Sequence, residues 1–371
     1  MKCKLSDICS FHKEKIDVAK LTVNSYVSTE NMLPNKEGIT KASSLPSVSL
    51  TQSFEKDNVL LSNIRPYFKK IWKAKFSGGC SNDVLVFKAK EDIDKDFLYY
   101  VLSDDNFFAY AMATSKGTKM PRGDKASIMQ YDVPIYDIDK QKKISSVLSV
   151  IDDMIELNKQ INNNLEQQAQ AIFKAWFIDF EPFGCSIPSD WTVLTLGDVS
   201  QMGAGGDKPK NVSSIQTENH PYPIYSNGLS DEGLYGYTDI PKIYEESVTV
   251  SARGTIGFVC LRHIPYFPIV RLVTLIPNTN ILSAKYLYLY LNQQHIIGTG
   301  TTQQQLTVPD FRKTEILVPI KDVVDAFTNI VNPLFDKIWA NQEENKYLST
   351  LRDTLLPKLI SGKLDVYHID L

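Results

Sequence analysis

The densest chemistry in this chain is cationic. From Val59 to Lys90 seven basic residues (Arg65, Lys69, Lys70, Lys73, Lys75, Lys88 and Lys90) stand against one acid, Asp83, with Tyr67, Phe68, Trp72 and Phe76 interleaved. Clustered lysine and arginine neutralise phosphates, so the segment is a candidate contact for a nucleic-acid backbone. Its plainer reading is a surface hairpin whose lysines are merely solvated. A second basic loop, Lys116-Gly117-Thr118-Lys119-Met120-Pro121-Arg122-Gly123-Asp124-Lys125, favours the first reading. The whole-chain net charge of −3 hides this local asymmetry.

That loop has a counterpart of different chemistry. Gly298-Thr299-Gly300-Thr301-Thr302-Gln303-Gln304-Gln305-Leu306 carries amides and hydroxyls, yet both loops precede a Val-Pro-Ile, at 133–135 and at 318–320. Glutamine can contact adenine through both amide groups, arginine or lysine can contact guanine, and threonine can meet a base edge or a methyl group. Taken alone, the glutamine run could be a polar surface loop. The candidate DNA contacts are Ser62, Arg65, Lys69, Lys70, Lys116, Thr118, Lys119 and Arg122 in the first half. In the second they are Ser226, Asn227, Arg253, Thr255, Thr301, Thr302, Gln303, Gln304 and Gln305. Asn227 and Arg253 sit on glycine-bearing segments, 222–228 and 251–257, that read as tight turns between strands.

No catalytic constellation accompanies these residues. Asn332-Pro333-Leu334-Phe335 is one residue short of the [ND]-P-P-[YF] tetrad that binds a target amine in adenine methyltransferases, and no S-adenosylmethionine glycine loop precedes it. Gly203-Ala204-Gly205-Gly206-Asp207-Lys208-Pro209-Lys210 lacks the spacing of a P-loop. Pro309-Asp310-Phe311-Arg312-Lys313 has the wrong spacing for a nuclease carboxylate–lysine site. Cys3, Cys9, Cys80, Cys185 and Cys260 form no C-x-x-C pair and have no histidine at metal-ligand spacing, so they read as reduced structural thiols. The expectation is a chain without catalytic residues, metal or cofactor; a stand-alone DNA methyltransferase or nuclease and a protein-binding scaffold are the alternatives.

The elements that must position the candidates occur twice. Leu5-Ser6-Asp7-Ile8 returns as Leu196-Gly197-Asp198-Val199, 61–65 as 250–253, and Phe97-Leu98-Tyr99-Tyr100-Val101-Leu102 as Tyr286-Leu287-Tyr288-Leu289-Tyr290-Leu291, at offsets between 183 and 191 residues. Two copies are too few for a solenoid, and 371 residues is about twice a common domain size. No apolar run approaches the roughly 18 residues of a membrane span, and the first residues lack a signal-peptide core, which points to a cytoplasmic protein away from membranes.

From about Lys140 the period becomes heptad-like. Ile144, Leu148, Ile151, Ile155, Asn158, Asn162, Leu165, Ala169, Ile172 and Trp176 form a seam. Phe327, Val331, Leu334, Ile338, Asn341, Asn345, Leu348, Arg352, Leu355 and Leu359 repeat it 183 residues later. An antiparallel pair brings Asn158 to Asn345 and Asn162 to Asn341, satisfying each amide. Two separate amphipathic helices are the alternative. Helices of about 35 to 40 residues are roughly 55 Å long, against about 34 to 36 Å for one turn of B-DNA, so such a pair could space two readers along a duplex.

The residues at 171–182 (AIFKAWFIDFEP), 355–364 (LLPKLISGKL) and 191–199 (WTVLTLGDV) make the chain resemble the specificity subunits of type I restriction-modification systems, over essentially its whole length. The resemblance implies an α+β fold: two repeated target-recognition domains with mixed or antiparallel sheets, separated by two long antiparallel coiled-coil helices in a pseudo-two-fold arrangement. The expected divisions are a first recognition domain at 1–139, a helical spacer at 140–181, a linker at 182–190, a second recognition domain at 191–321 and a second spacer at 322–371. It also implies a two-part DNA site with a nonspecific gap. The implied partners are double-stranded DNA, two modification subunits that methylate adenine with S-adenosylmethionine, and restriction subunits that use ATP and magnesium. Apolar residues beyond the seam suggest that Trp176, Phe177, Leu356 and Lys358 dock the modification subunits. Two departures stand out: 1–10 lacks the Trp-containing lead of the second copy, and Arg352 replaces Ala169 in the seam.

Overall fold

The computed structural model describes residues 2–298 and 305–368. The chain forms two compact units, Met1–Lys159 with Gln342–Leu371, and Gln160–Asn341. The division passes through two long helices, Ile138–Phe177 and Lys321–Ser361, so each unit is built on one half of each.

In the first unit the strand Val59–Ser62 is buried along its whole length, between Val84–Ala89 and Ile71–Lys73, and Cys9–Phe11 completes the sheet beyond Val84–Ala89. A run of V-L-L-S suits a strand covered on both faces. The second unit lays down Ser200–Ala204, Val273–Pro277, Ser247–Val250 and Val259–Arg262 in the same spatial order, with Ser247–Val250 again wholly buried. Each unit adds a second sheet. In the first it joins Lys15–Asp17, Leu50–Phe54, Gly78–Cys80 and Tyr26–Val27; in the second, Leu234–Thr238, Tyr222–Tyr225 and Phe267–Pro268. One pair in each of these second sheets is parallel and the rest are antiparallel, so the sheets are mixed.

The repeat reaches single hydrogen bonds. Leu5 N donates to Tyr131 O at 2.8 Å and Leu196 N to Thr314 O at 2.9 Å; Ser6 N donates to Met129 O and Gly197 N to Arg312 O, both at 3.0 Å. Asp7 and Asp198 accept from the backbone N–H of Lys4 and Thr195 at 2.8 and 2.9 Å, capping the short helices Leu5–Ile8 and Leu196–Val199. The long helices are tied down by matching hydroxyls. Ser145 donates to Asp94, the N-cap of Lys95–Ser103, and Thr328 to Ser283, the N-cap of Ala284–Gln293, both at 2.8 Å. The N-terminal half of each long helix is thereby fixed to the start of a short helix of its own unit.

Within each unit the two half-helices run antiparallel. In the first, Ile151, Ile155 and Leu348 bury one another, and Asn158 Nδ2 donates to Asn345 Oδ1 at 3.1 Å and to Glu344 at 3.0 Å. In the second, Asn341 Nδ2 donates to Asn162 Oδ1 at 2.8 Å and Asn162 Nδ2 to the Ile338 carbonyl at 3.2 Å, among Leu165, Leu334 and Ile338. A slip of register would strand these amides in an apolar seam. Arg352, the departure from the repeat, donates to Asp152 across the seam at 2.8 Å.

Two docking candidates are not free surface, which corrects that expectation. Phe177 is 4% exposed and packs its ring 4.9 Å from both Tyr286 and Phe327, inside the core of the second unit. Leu356 is 2% exposed in the core of the first. Both are covered by residues of their own unit. Trp176 is half-buried against Phe327 and Phe183, and Lys358 is exposed.

Candidate nucleic-acid interface

In the first unit the two basic segments meet. Arg65 N donates to Pro121 O at 2.8 Å, Gly123 N to Asn63 O at 3.1 Å, and Lys116 and Arg122 exchange backbone bonds at 2.9 Å. A Cβ at Gly123 would lie 2.8 Å from both Asn63 Oδ1 and the Ile128 side chain, so a larger residue at the crossing would have to push those side chains aside. Arg65 and Lys69 both adopt left-handed backbone, φ 51°, and between them a tight turn, Pro66–Phe68, exposes Tyr67 and Phe68 with ring centroids 4.7 Å apart.

The charge of this patch is lower than the sequence window suggests. Lys69 pairs with Asp105 at 2.8 Å, Lys73 with Asp96, Lys75 with Glu156 at 3.7 Å and Lys88 with Glu55 at 2.9 Å, all acids outside the window. Lys70 donates to the Thr29 carbonyl at 2.7 Å, and burial lowers its ammonium below the usual value. Lys116 pairs with Asp124 at 2.7 Å, which with Ser127 holds that carboxyl well below the ordinary carboxylate range, and Arg122 lies 3.3 Å from Asp83. Exposed pairs contribute only about 0–1 kcal/mol each, so phosphate can displace the solvent-facing ones. Thr118 and Lys119 are exposed at the loop tip. Ser62 is 3% exposed and donates to the Ile64 carbonyl, so it shapes the turn rather than facing a duplex.

The second unit builds the same crossing with other side chains. Leu306 N donates to Ala252 O at 3.0 Å, the counterpart of Gly123 N to Asn63 O. Beside it Arg253, exposed on its turn, donates through Nη2 to Gln305 Oε1 at 3.0 Å. Gln305 thus occupies the position that Arg122 holds in the first unit. Thr301, Thr302, Gln303 and Gln304 lie outside the described residues.

Asn227 works differently from its sequence reading. Its Oδ1 accepts from Ala252 N at 2.7 Å and its Nδ2 donates to Val270 O at 2.6 Å, so the amide clamps two turns together instead of facing outward with free donors. Ser226 N donates to Gly233 O at 2.8 Å in the same loop, and the buried Thr255 hydroxyl has no partner among the described residues.

Sequence reading missed Arg262. This guanidinium is 3% exposed, lies 3.6 Å over the Tyr225 ring, and donates to the Glu232 carboxylate at 2.9 Å and its carbonyl at 2.6 Å. It pins a loop in which Asp231, Glu232 and Gly233 all have positive φ. An arginine in a strand of otherwise ordinary pattern carries no local signal of such a role. Among the described residues no group of three or more His, Cys, Asp or Glu is placed to hold a metal ion, and no helix is long and apolar enough to cross a membrane.

The model of the type I restriction modification DNA specificity domain matches this chain twice, over residues 1–167 and 188–353. The chain is 29% identical over 313 residues to the type I restriction enzyme MjaIX specificity subunit of Methanocaldococcus jannaschii, covering 76% of this chain and 71% of that one. It is 26% identical over 356 residues to the HindI specificity subunit of Haemophilus influenzae, covering 72% and 77%. The crystal structure of a type I restriction-modification S subunit from M. genitalium shares the fold, with a TM-score of 0.55 at 17% identity over 97% of this chain and 96% of that one. A doubled frame with divergent polar tips, and these likenesses along nearly all of its length, lead to one conclusion: the chain belongs to the type I restriction-modification DNA specificity subunits, the non-catalytic DNA-recognition components of those systems.

Proposed function

We propose that each unit reads one half of a two-part double-stranded DNA sequence, and that the two long helices set the gap between the halves. The observation that carries this reading is the shared crossing with unlike tips: Gly123 N to Asn63 O beside Arg122 in one unit, Leu306 N to Ala252 O beside Arg253 and Gln305 in the other. One frame with two chemistries suits two different half-sites. Helices of 40 and 41 residues, about 60 Å each at 1.5 Å per residue, match a spacer on the scale of one to two turns of duplex.

In this reading the chain binds no cofactor itself. Two modification subunits dock on the helical halves, near Lys358 and the open part of Trp176, and transfer methyl groups from S-adenosylmethionine to adenine. Restriction subunits, using ATP and magnesium, supply translocation and cleavage. The test is co-expression with the neighbouring modification subunit, followed by single-molecule sequencing of methylated adenines across a genome. A two-part motif with a fixed gap is the expected result. A single contiguous motif would mean that one unit reads alone, and no motif would favour a protein-binding scaffold.

A further inference from the structure

In the second unit one turn is strained where no glycine relieves it. Val270 and Arg271 have φ of 52° and 61°, the left-handed region that side chains avoid and β-branched ones most of all. The surrounding backbone over-determines the turn. Ile269 N donates to Tyr225 O at 2.9 Å, Val270 N to Gly206 O at 2.9 Å, Arg271 N to Gly205 O at 2.7 Å, and Asn227 Nδ2 to Val270 O at 2.6 Å. Gly205 leaves room for nothing larger, since a Cβ there would lie 2.6 Å from the Ile269 carbonyl oxygen. The glycines that lack P-loop spacing are therefore the cradle of this turn.

What the turn displays is two side chains in solvent. Val270 is 48% exposed and Arg271 is exposed, and Arg271 has no ion pair or side-chain hydrogen bond among the described residues. Strain that persists because its surroundings enforce it concentrates at functional positions. Asn227 also accepts from Ala252 N, next to Arg253, so Arg271, Val270, Arg253 and Gln305 belong to one hydrogen-bonded edge. Lys208 and Lys210, exposed, follow directly from the glycine cradle.

We propose that Val270 and Arg271 form a second base-reading tip of this unit, beside the tip of Arg253 and Gln305, with Asn227 as the positioning residue. Arg271 supplies the fork of donors that meets a guanine edge, and Val270 the apolar contact that meets a thymine methyl. The inference rests on the reading of this unit as one that contacts duplex DNA.

The test uses the full chain with its modification subunit, and reads the methylation motif of native, Arg271→Gly, Arg271→Ala and Asn227→Asp proteins. Glycine adopts positive φ freely, so a change in Arg271→Gly is not a folding defect. Asn227→Asp keeps the acceptor for Ala252 N and loses the donor to Val270 O. The expected result is a loss of roughly ten-fold or more in discrimination at the same base position of one half-site in all three variants, with the other half-site unchanged. An unaltered motif in Arg271→Gly, or uniformly weaker methylation without altered preference, overturns the proposal. Absence of any motif from the native complex would instead count against DNA reading by the chain as a whole.

Discussion

Arg352 Nη1 donates to Asp152 Oδ1 at 2.8 Å across the two helices of the first unit, and Tyr100 donates to the other oxygen of the same carboxylate at 2.8 Å. Burial with the nearby Asp152 charge pushes the Tyr100 phenol far up, and the Asp152 and Asp353 carboxylates hold Arg352 firmly protonated despite its burial. The second unit has Ala169 at the matching seam position. Arg352→Ala leaves Asp152 half-buried without its main cation and should cost about 2–3 kcal/mol, below the ~3–5 kcal/mol of a fully buried pair. Urea unfolding of Arg352→Ala and of Arg352→Ala with Asp152→Ala measures this. The double variant should recover part of the loss, and no recovery would mean that the arginine acts through packing alone.

The seam amides give a second expectation. Asn341 is wholly buried, and its Nδ2 satisfies Asn162. Asn341→Ala should destabilise the second unit by about 1 kcal/mol, because the half-buried Asn162 loses its donor while the unpartnered Oδ1 of Asn341 is removed with it. Replacing both asparagines with leucine should restore stability while loosening the register, visible as broadened helix resonances or mixed oligomers on a sizing column.

Val270→Gly removes the β-branched side chain from left-handed backbone and should raise stability by about 1 kcal/mol, read as a higher urea midpoint with unchanged slope. A stabilised protein with a relaxed half-site is the signature of strain kept for recognition. Destabilisation would show that the Val270 side chain packs more than its exposure suggests.

Charged and amide tips should separate by salt. Lys119→Ala should weaken binding to all duplexes and lower the slope of log affinity against log salt by about 1, whereas Gln305→Ala should change base preference and leave the slope nearly intact. Filter binding of the assembled complex from low to high salt measures both. Equal slopes in native and Lys119→Ala proteins would remove Lys119 from the phosphate contacts.

The thiols should divide cleanly. Burial pushes Cys9, Cys80 and Cys260 up to about 12, while Cys185 is exposed. Reactivity follows the thiolate, so iodoacetamide near pH 8 should label Cys185 first in the folded chain, the half-buried Cys3 more slowly because burial raises its thiol, and Cys9, Cys80 and Cys260 only after unfolding. Mass spectrometry of the labelled peptides reads the order.

Periodicity was the strongest guide to the frame. Asn158 and Asn345 can be paired on paper because a shared seven-residue period and an antiparallel course leave few registers open. The surface chemistry was less legible, for reasons that lie in distance along the chain. Lys69 looks free in its own window, yet Asp105, 36 residues on, pairs with it. Phe177 looks like an uncovered aromatic beside a seam, yet Tyr286 and Phe327 cover it from elements that only the fold brings near. Asn227 sits on a turn as its neighbours imply, but its partners Ala252 and Val270 lie 25 and 43 residues away. The Val270 turn had no sequence signal, since a valine followed by an arginine gives no hint of positive φ.

The division through the long helices also orders the birth of the molecule. The second unit is one continuous stretch, Gln160–Asn341, inserted into the first, whose core needs Leu356, Leu359 and Ile360 from beyond it. As synthesis proceeds from the N-terminus, the later-encoded unit can close its core first. The earlier one completes its core only when the second long helix has supplied Leu356, Leu359 and Ile360.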